Sequence, residues 1–476
     1  MSKPAAVESR RVLLVTGRLA EASLRRVLDE IQPDVECDVV VLGITVAALM
    51  TTEWIAPRLT VPPRTDLVLI PGLCEGDPRV IADRVGVPVD KGPKDLRELP
   101  AYFGGAAAAH EYGAWDIEIV AEINNVPRLS RDQVRAAAAY FHTSGADVID
   151  IGCTPGAAFP ALGDVVRDLV ADGLRVSVDS FDREEIRTAV TAGAELVLSV
   201  NGSNIDAAND LAGTRARVVA VPDLGGGLDT LETTLERLEQ CGVDYLIDPI
   251  LEPIGFGFMA SLERYAEVRR RYPAAAMLMG VGNLTELTAA DSTGVNALLI
   301  AVCQELGVRA VLTTEVIPWA RGAVREIDVA RRLMHYAVTR RTIPKGVDDR
   351  LVTVKDPAVL AFTQDELRAL QAQITDPHFR IFADREGITV LNNERFVRSI
   401  DPARLADVFA QLDVTDPAHA FYLGRELARA SLAVTLGKTY RQEGALTWGY
   451  LTPPDDAVRD HVKLTQPSKP GLHRDH

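Results

Sequence analysis

The feature that most constrains this chain is a series of eight short apolar runs between about residues 115 and 342. They fall at 117–123, 148–152, 176–179, 196–200, 218–221, 245–250, 276–281 and 310–314. Helical patterns separate them, for instance at 132–141, 182–192, 231–240, 262–271 and 296–306. Short continuous apolar runs alternating with amphipathic stretches read as buried parallel strands joined by helices. Gly145-Ala146, Gly193-Ala194, Gly242-Val243 and Gly307-Val308 each precede a run, as expected where a helix ends on glycine and turns into the next strand. Eight such units in this length match a (β/α)8 TIM barrel, with a doubly wound open sheet as the alternative.

The flanks read differently. Runs at 11–16, 38–43 and 66–72, with a helical stretch at 21–30, predict an N-terminal α/β layer of the doubly wound kind. Thr16-Gly17-Arg18 and Pro71-Gly72 would meet at one sheet edge, where open α/β sheets bind ligands. Lys91 and Lys94 can offer two cations to an anion there, or simply form a solvated turn. After about residue 343, runs at 352–360, 379–383 and 387–392 with helical patterns at 364–373, 404–411 and 418–436 predict a small α+β domain. The expected division is 1–112, 113–342 and 343–476, and the polar, proline-rich tail after Pro453 reads as poorly ordered or wrapped on a neighbour.

A net charge of −16 argues against a nucleic-acid or anionic-membrane partner, which needs a basic face. The five cysteines never form a CxxC, which argues against a disulfide scaffold or structural zinc. With no apolar leader and no long apolar span, a cytoplasmic, reduced protein is expected.

A barrel places its chemistry at the C-terminal strand ends. There the sequence offers Asn124 and Asn125, Asp150, Asp179, Ser199 and Asn201, Asp223, Asp248, Asn283 and Glu315. A carboxylate inside an apolar strand is costly unless it is paired or faces a polar cavity. Acids and carboxamides without lysine suit a neutral heterocycle rich in N–H donors. The competing reading is that some acids cap helices, as Asp179 or Asp182 can. The absence of histidine at these ends disfavours a metal-hydrolase barrel, and Gly225-Gly226-Gly227 is weak as a nucleotide motif.

Three segments carry a resemblance: 145–152 (GADVIDIG), 176–180 (VSVDS), and Asp248-Pro249 with the following Gly255-Phe256-Gly257-Phe258. They resemble the pterin-binding barrel family of dihydropteroate synthases and methyltetrahydrofolate:corrinoid methyltransferases, over about residues 115–340. The resemblance implies that Asp179, Asn201 (or Ser199) and Asp248 hold the pterin ring, with Asp150 and Asn283 beside them. It implies catalytic roles for Asp179, Asp248 and Asn124, and a diphosphate-linked Mg2+ at Asn124 or Asn125. The synthases' Ser-Arg-Lys-Ser is here Gly280-Val281-Gly282-Asn283, similar to the methyltransferase branch. Their closing Arg-x-His is absent, and their arylamine loop is shortened to Cys153-Thr154-Pro155-Gly156. Thr154, Lys91, Lys94 and Arg321 are then the candidates for arylamine or anion contacts.

The whole chain resembles dihydropteroate-synthase-like proteins of methanogens and methylotrophs. This implies tetrahydromethanopterin- or folate-type C1 metabolism, pterin and arylamine as small-molecule partners, and a homodimer. The implied reaction joins a dihydropterin-methyl diphosphate to an arylamine. The alternatives are methyl transfer to a corrinoid, with His419 as a possible ligand or a structural histidine, and a non-catalytic pterin-binding subunit.

Overall fold

A computed structural model describes residues 10–94, 96–104, 112–360 and 362–452, and the expectation for the tail lies outside them. The chain divides into two compact units, 1–116 with 331–344, and 117–330 with 345–476.

The first unit holds four parallel strands, β1 (Arg11–Gly17), β2 (Glu36–Leu42), β3 (Leu67–Ile70) and β4 (Val89–Lys91), in the order β2-β1-β3-β4. Alternation along β1 explains why both faces are covered. Val12 and Leu14 pack with Leu24, Leu28 and Leu99, while Leu13 and Val15 pack with Met50, Ile55 and Ile81. A sheet buried on both sides is the doubly wound arrangement, and the order in which strands are added switches sides between β1 and β3.

In the second unit eight parallel strands follow. They are β5 (Glu118–Ile123), β6 (Val148–Gly152), β7 (Arg175–Asp179), β8 (Leu196–Val200), β9 (Arg217–Ala220), β10 (Tyr245–Ile247), β11 (Leu278–Gly280) and β12 (Ala310–Thr313). They run in the order β10-β9-β8-β7-β6-β5-β12-β11. A bridge between Ile247 and Met277, with the Ile247 amide donating to Ala276 O at 2.9 Å, closes the ring into a barrel. Val120, Val148, Leu196, Leu198, Val219, Leu246, Leu278 and Ala310 fill the interior. The N-terminal end carries ion pairs from Arg175 to Glu118 (2.8 Å) and Glu195 (2.6 Å). Helix ends obey local chemistry. Ser130 and Gln133 form a capping box, and the four glycines expected at C-termini adopt φ of 113°, 116°, 66° and 70°.

The same unit contains a three-stranded antiparallel sheet, β13 (Arg380–Asp384), β14 (Gly387–Leu391) and β15 (Phe396–Ser399). The helix Pro417–Leu436 covers it, with Leu423, Leu427, Ala430 and Ala433 against Ile381, Ile388, Val390 and Val397. No helix among the described residues is long and apolar enough to cross a membrane.

Candidate functional site

Parallel register decides which side chains meet at the barrel mouth. Glu122 of β5 pairs with Asp150 of β6, and Asp150 with Ser177 of β7, so these three stand side by side facing inward. Asp179 lies one pleat further along, opposite Gly152. One oxygen from each of Glu122, Asp150 and Asp179 falls within 4.8 Å of the others. Gly152 makes this possible, because a Cβ there would lie 2.6 Å from Glu122 Oε1.

The three acids are not equivalent. Asp150 is fully buried; its Oδ1 accepts from Ser177 Oγ at 2.6 Å and its Oδ2 has no partner. Burial, then the charges of Asp179 and Glu122, hold its carboxyl well above the usual range. Burial, with Asp179 and Glu286 nearby, pushes Glu122 up to about 7. Burial raises Asp179 to about 6. Asp182 satisfies the helix start instead, accepting from the amides of Glu184 (2.8 Å) and Glu185 (3.0 Å). Asp179 therefore stays in the mouth.

Across the barrel, Asp248 follows β10. Its Oδ1 accepts from Tyr265 Oη at 2.5 Å and from the Ile250 amide at 2.8 Å. Burial raises it to about 6 even though both bonds and Arg264 favour the anion. Gly280 of β11 lies where the two side chains converge: a Cβ there would sit in ordinary contact, 3.6 Å from Asn283 Nδ2 and 3.9 Å from Asp248 Oδ2. Asn283 Nδ2 also donates to Leu251 O at 3.0 Å, which ties the carboxamide to the loop after β10.

The remaining candidates separate. Asn124 Nδ2 donates to Glu122 Oε1 at 2.9 Å and its Oδ1 accepts from Thr314 Oγ1, so both ends of the carboxamide are engaged. Asn125 is exposed, in a left-handed turn at φ 53°. Asn201 is buried; its Oδ1 accepts from the Ser203 amide (2.9 Å) and hydroxyl (2.6 Å). Ser199 follows a cis peptide bond and its carbonyl accepts from Asn204 Nδ2. Asp223 accepts from the Gly202 amide at 2.8 Å. Glu315 accepts from Tyr140 Oη (3.0 Å) and the Val324 amide (3.1 Å), a structural role at a helix start. Thr154 Oγ1 is buried without a partner, and Arg321 is exposed. Lys91 and Lys94 are exposed in the first unit, where their loop closes on Gly72. His419 lies between the rings of Phe379 and Tyr422, at 6.1 and 6.3 Å.

Sequence reasoning missed Glu122, Tyr265 and Glu286. Glu122 sits in Ile119-Val120-Ala121-Glu122-Ile123, the same acid-in-apolar-strand pattern that pointed to Asp179. Tyr265 is 17 positions from the acid it serves, on the helix Phe258–Arg271, and no local pattern links the two.

Residues 10–94 match the family of unknown function DUF6513, and residues 369–443 match the family described as PterinBD-DUF4346. An uncharacterized protein of Methanocaldococcus jannaschii is 26% identical over 524 residues, covering 92% of this chain and 99% of the relative. Among solved structures, the Yersinia pestis dihydropteroate synthase with a pterine-sulfa conjugate is 19% identical, with a TM-score of 0.38. It covers 47% of this chain and 95% of that one. The Coxiella burnetii dihydropteroate synthase with pteroic acid is 16% identical at TM-score 0.36, covering 47% and 94%. Two segments of the chain thus match family models, DUF6513 at 10–94 and PterinBD-DUF4346 at 369–443, before and after the eight-stranded parallel barrel in sequence.

Proposed function

We propose that the barrel mouth binds a pterin and that the protein is a dihydropteroate-synthase-like transferase. The observation that carries this reading is the buried Asp248. One of its oxygens is fixed by Tyr265 and the Ile250 amide, while the other and Asn283 Nδ2 both lie within 4 Å of the position a Gly280 Cβ would take. The remaining oxygen of a carboxylate in that setting accepts from a ring donor, and a carboxamide supplies the complementary donor and acceptor. Asp179 on the opposite wall gives a second acceptor.

In the proposed reaction the C–O bond of a dihydropterin-methyl diphosphate breaks, diphosphate departs, a C–N bond forms to an arylamine, and the amine releases a proton to solvent. Positioning supplies most of the rate, because the electron-rich ring itself stabilises the developing cation. The Mg2+ expected at Asn124 or Asn125 fits these residues poorly: Asn124 is engaged at both ends and Asn125 is exposed. A second reading, methyl transfer from a methyl-pterin to a corrinoid, is favoured by Asn283 standing where the synthases place a cationic segment.

Incubation with the pterin diphosphate and p-aminobenzoate, or its ribofuranosyl phosphate conjugate, should release diphosphate. No release, together with loss of cob(I)alamin absorbance when methyl-pterin is supplied, selects the second reading. Pterin binding without either turnover assigns a non-catalytic binding role.

A further inference from the structure

We propose that Glu122, Asp150 and Asp179 bind one divalent cation of the hard, oxygen-seeking class, Mg2+ or Mn2+, at the barrel mouth. The inference goes beyond pterin binding and does not depend on it; Asp179 is common to both, so a cation and a pterin would share that carboxylate. Three carboxylates with oxygens within 4.8 Å of one another repel unless something positive sits among them. An octahedral ion with ligands at about 2.1 Å sets neighbouring oxygens roughly 3 Å apart and opposite ones roughly 4.2 Å apart. Oxygens within 4.8 Å of one another stand close to that range, and side-chain rotation brings them into it.

Independent support comes from a single atom. Asp150 is 0% exposed, its Oδ1 is satisfied by Ser177, and its Oδ2 is sealed from solvent with no hydrogen-bond partner. A buried acceptor without a donor costs about 1–3 kcal/mol, and more when charged, so this oxygen calls for a ligand. Glu122 and Asp179 are only partly buried, so an ion arriving from the mouth meets them before it reaches Asp150. Three carboxylates without imidazole or thiolate select hard cations. Asn124 completes the arrangement as a positioning residue: its Nδ2 holds Glu122 Oε1 at 2.9 Å, and Gly152 keeps the space that carboxylate occupies.

The test is a titration of MnCl2 into the full chain at pH 8 without any pterin, with free Mn2+ read by electron paramagnetic resonance. One equivalent should bind. Asp150→Asn and Glu122→Gln should each weaken binding at least tenfold while retaining native circular dichroism, and Asp248→Asn should leave it unchanged. Mn2+ should raise the melting temperature of the unsubstituted chain but not that of Asp150→Asn. If no saturable Mn2+ binding is seen, or if affinity survives Asp150→Asn and Glu122→Gln, the trio shares protons instead and the cation site is wrong. Because pterin is absent throughout, that failure leaves the pterin reading intact.

Discussion

Asp150 and Asp248 are both sealed acids on barrel strand ends, yet their second oxygens face different company. Asp248 Oδ2 and Asn283 Nδ2 both lie within 4 Å of where a Gly280 Cβ would stand; the Asp150 carboxyl has two further carboxylates as neighbours. Replacing Tyr265 with Phe removes a donor from Asp248 and should destabilise the fold by about 1–3 kcal/mol in chemical denaturation. Proton linkage gives a second prediction. The folded chain keeps a proton on Glu122 up to about pH 7, whereas an unfolded glutamate releases it near 4.5. Stability should therefore fall as pH rises through that window, by on the order of 3 kcal/mol from this group alone. Glu122→Gln should flatten the profile of melting temperature against pH, and an unchanged slope would show that Glu122 is not the group responsible.

At the scale of elements, the sequence announced acids wherever an apolar strand was interrupted, and Asp150, Asp179 and Asp248 all stand at the mouth. Glu122 obeyed the same rule, but the conspicuous Asn pair beside it drew the assignment, and only parallel register reveals that Glu122 and Asp150 are neighbours. Asn125 and Glu315 illustrate the opposite failure. Strand-end position alone does not tell a side chain in the mouth from one in a turn or at a helix start. Strand β6 carries the sharpest element-level prediction. Gly152→Ala places a methyl 2.6 Å from Glu122 Oε1 and must displace that carboxylate. The variant should lose roughly 1–3 kcal/mol of stability and should weaken Mn2+ binding, as followed by melting and by the same titration.

On the scale of the whole molecule, the eight-run count was legible because each buried strand needs its own continuous apolar stretch. The placement of the C-terminal sheet was not, since it depends on contacts distant in sequence. Tyr450 Oη donates to Glu326 Oε1 at 2.8 Å, and Glu326 also accepts from Ser292, Thr293 and Asn296. Residues 345–452 therefore belong to the barrel's own unit. Removing everything after residue 344 should lower the melting temperature of the barrel, and Tyr450→Phe alone should cost about 1–2 kcal/mol; an unaltered melt in the truncated chain would show that the two fold independently.

The most direct test is calorimetric titration of 6-hydroxymethyl-7,8-dihydropterin into the full chain and into Asp248→Asn. Saturable one-to-one binding should be seen, weakened about 10- to 100-fold by the substitution, as expected when a charge-assisted hydrogen bond is lost. Absence of binding, or equal affinity in both proteins, would contradict a pterin site centred on Asp248.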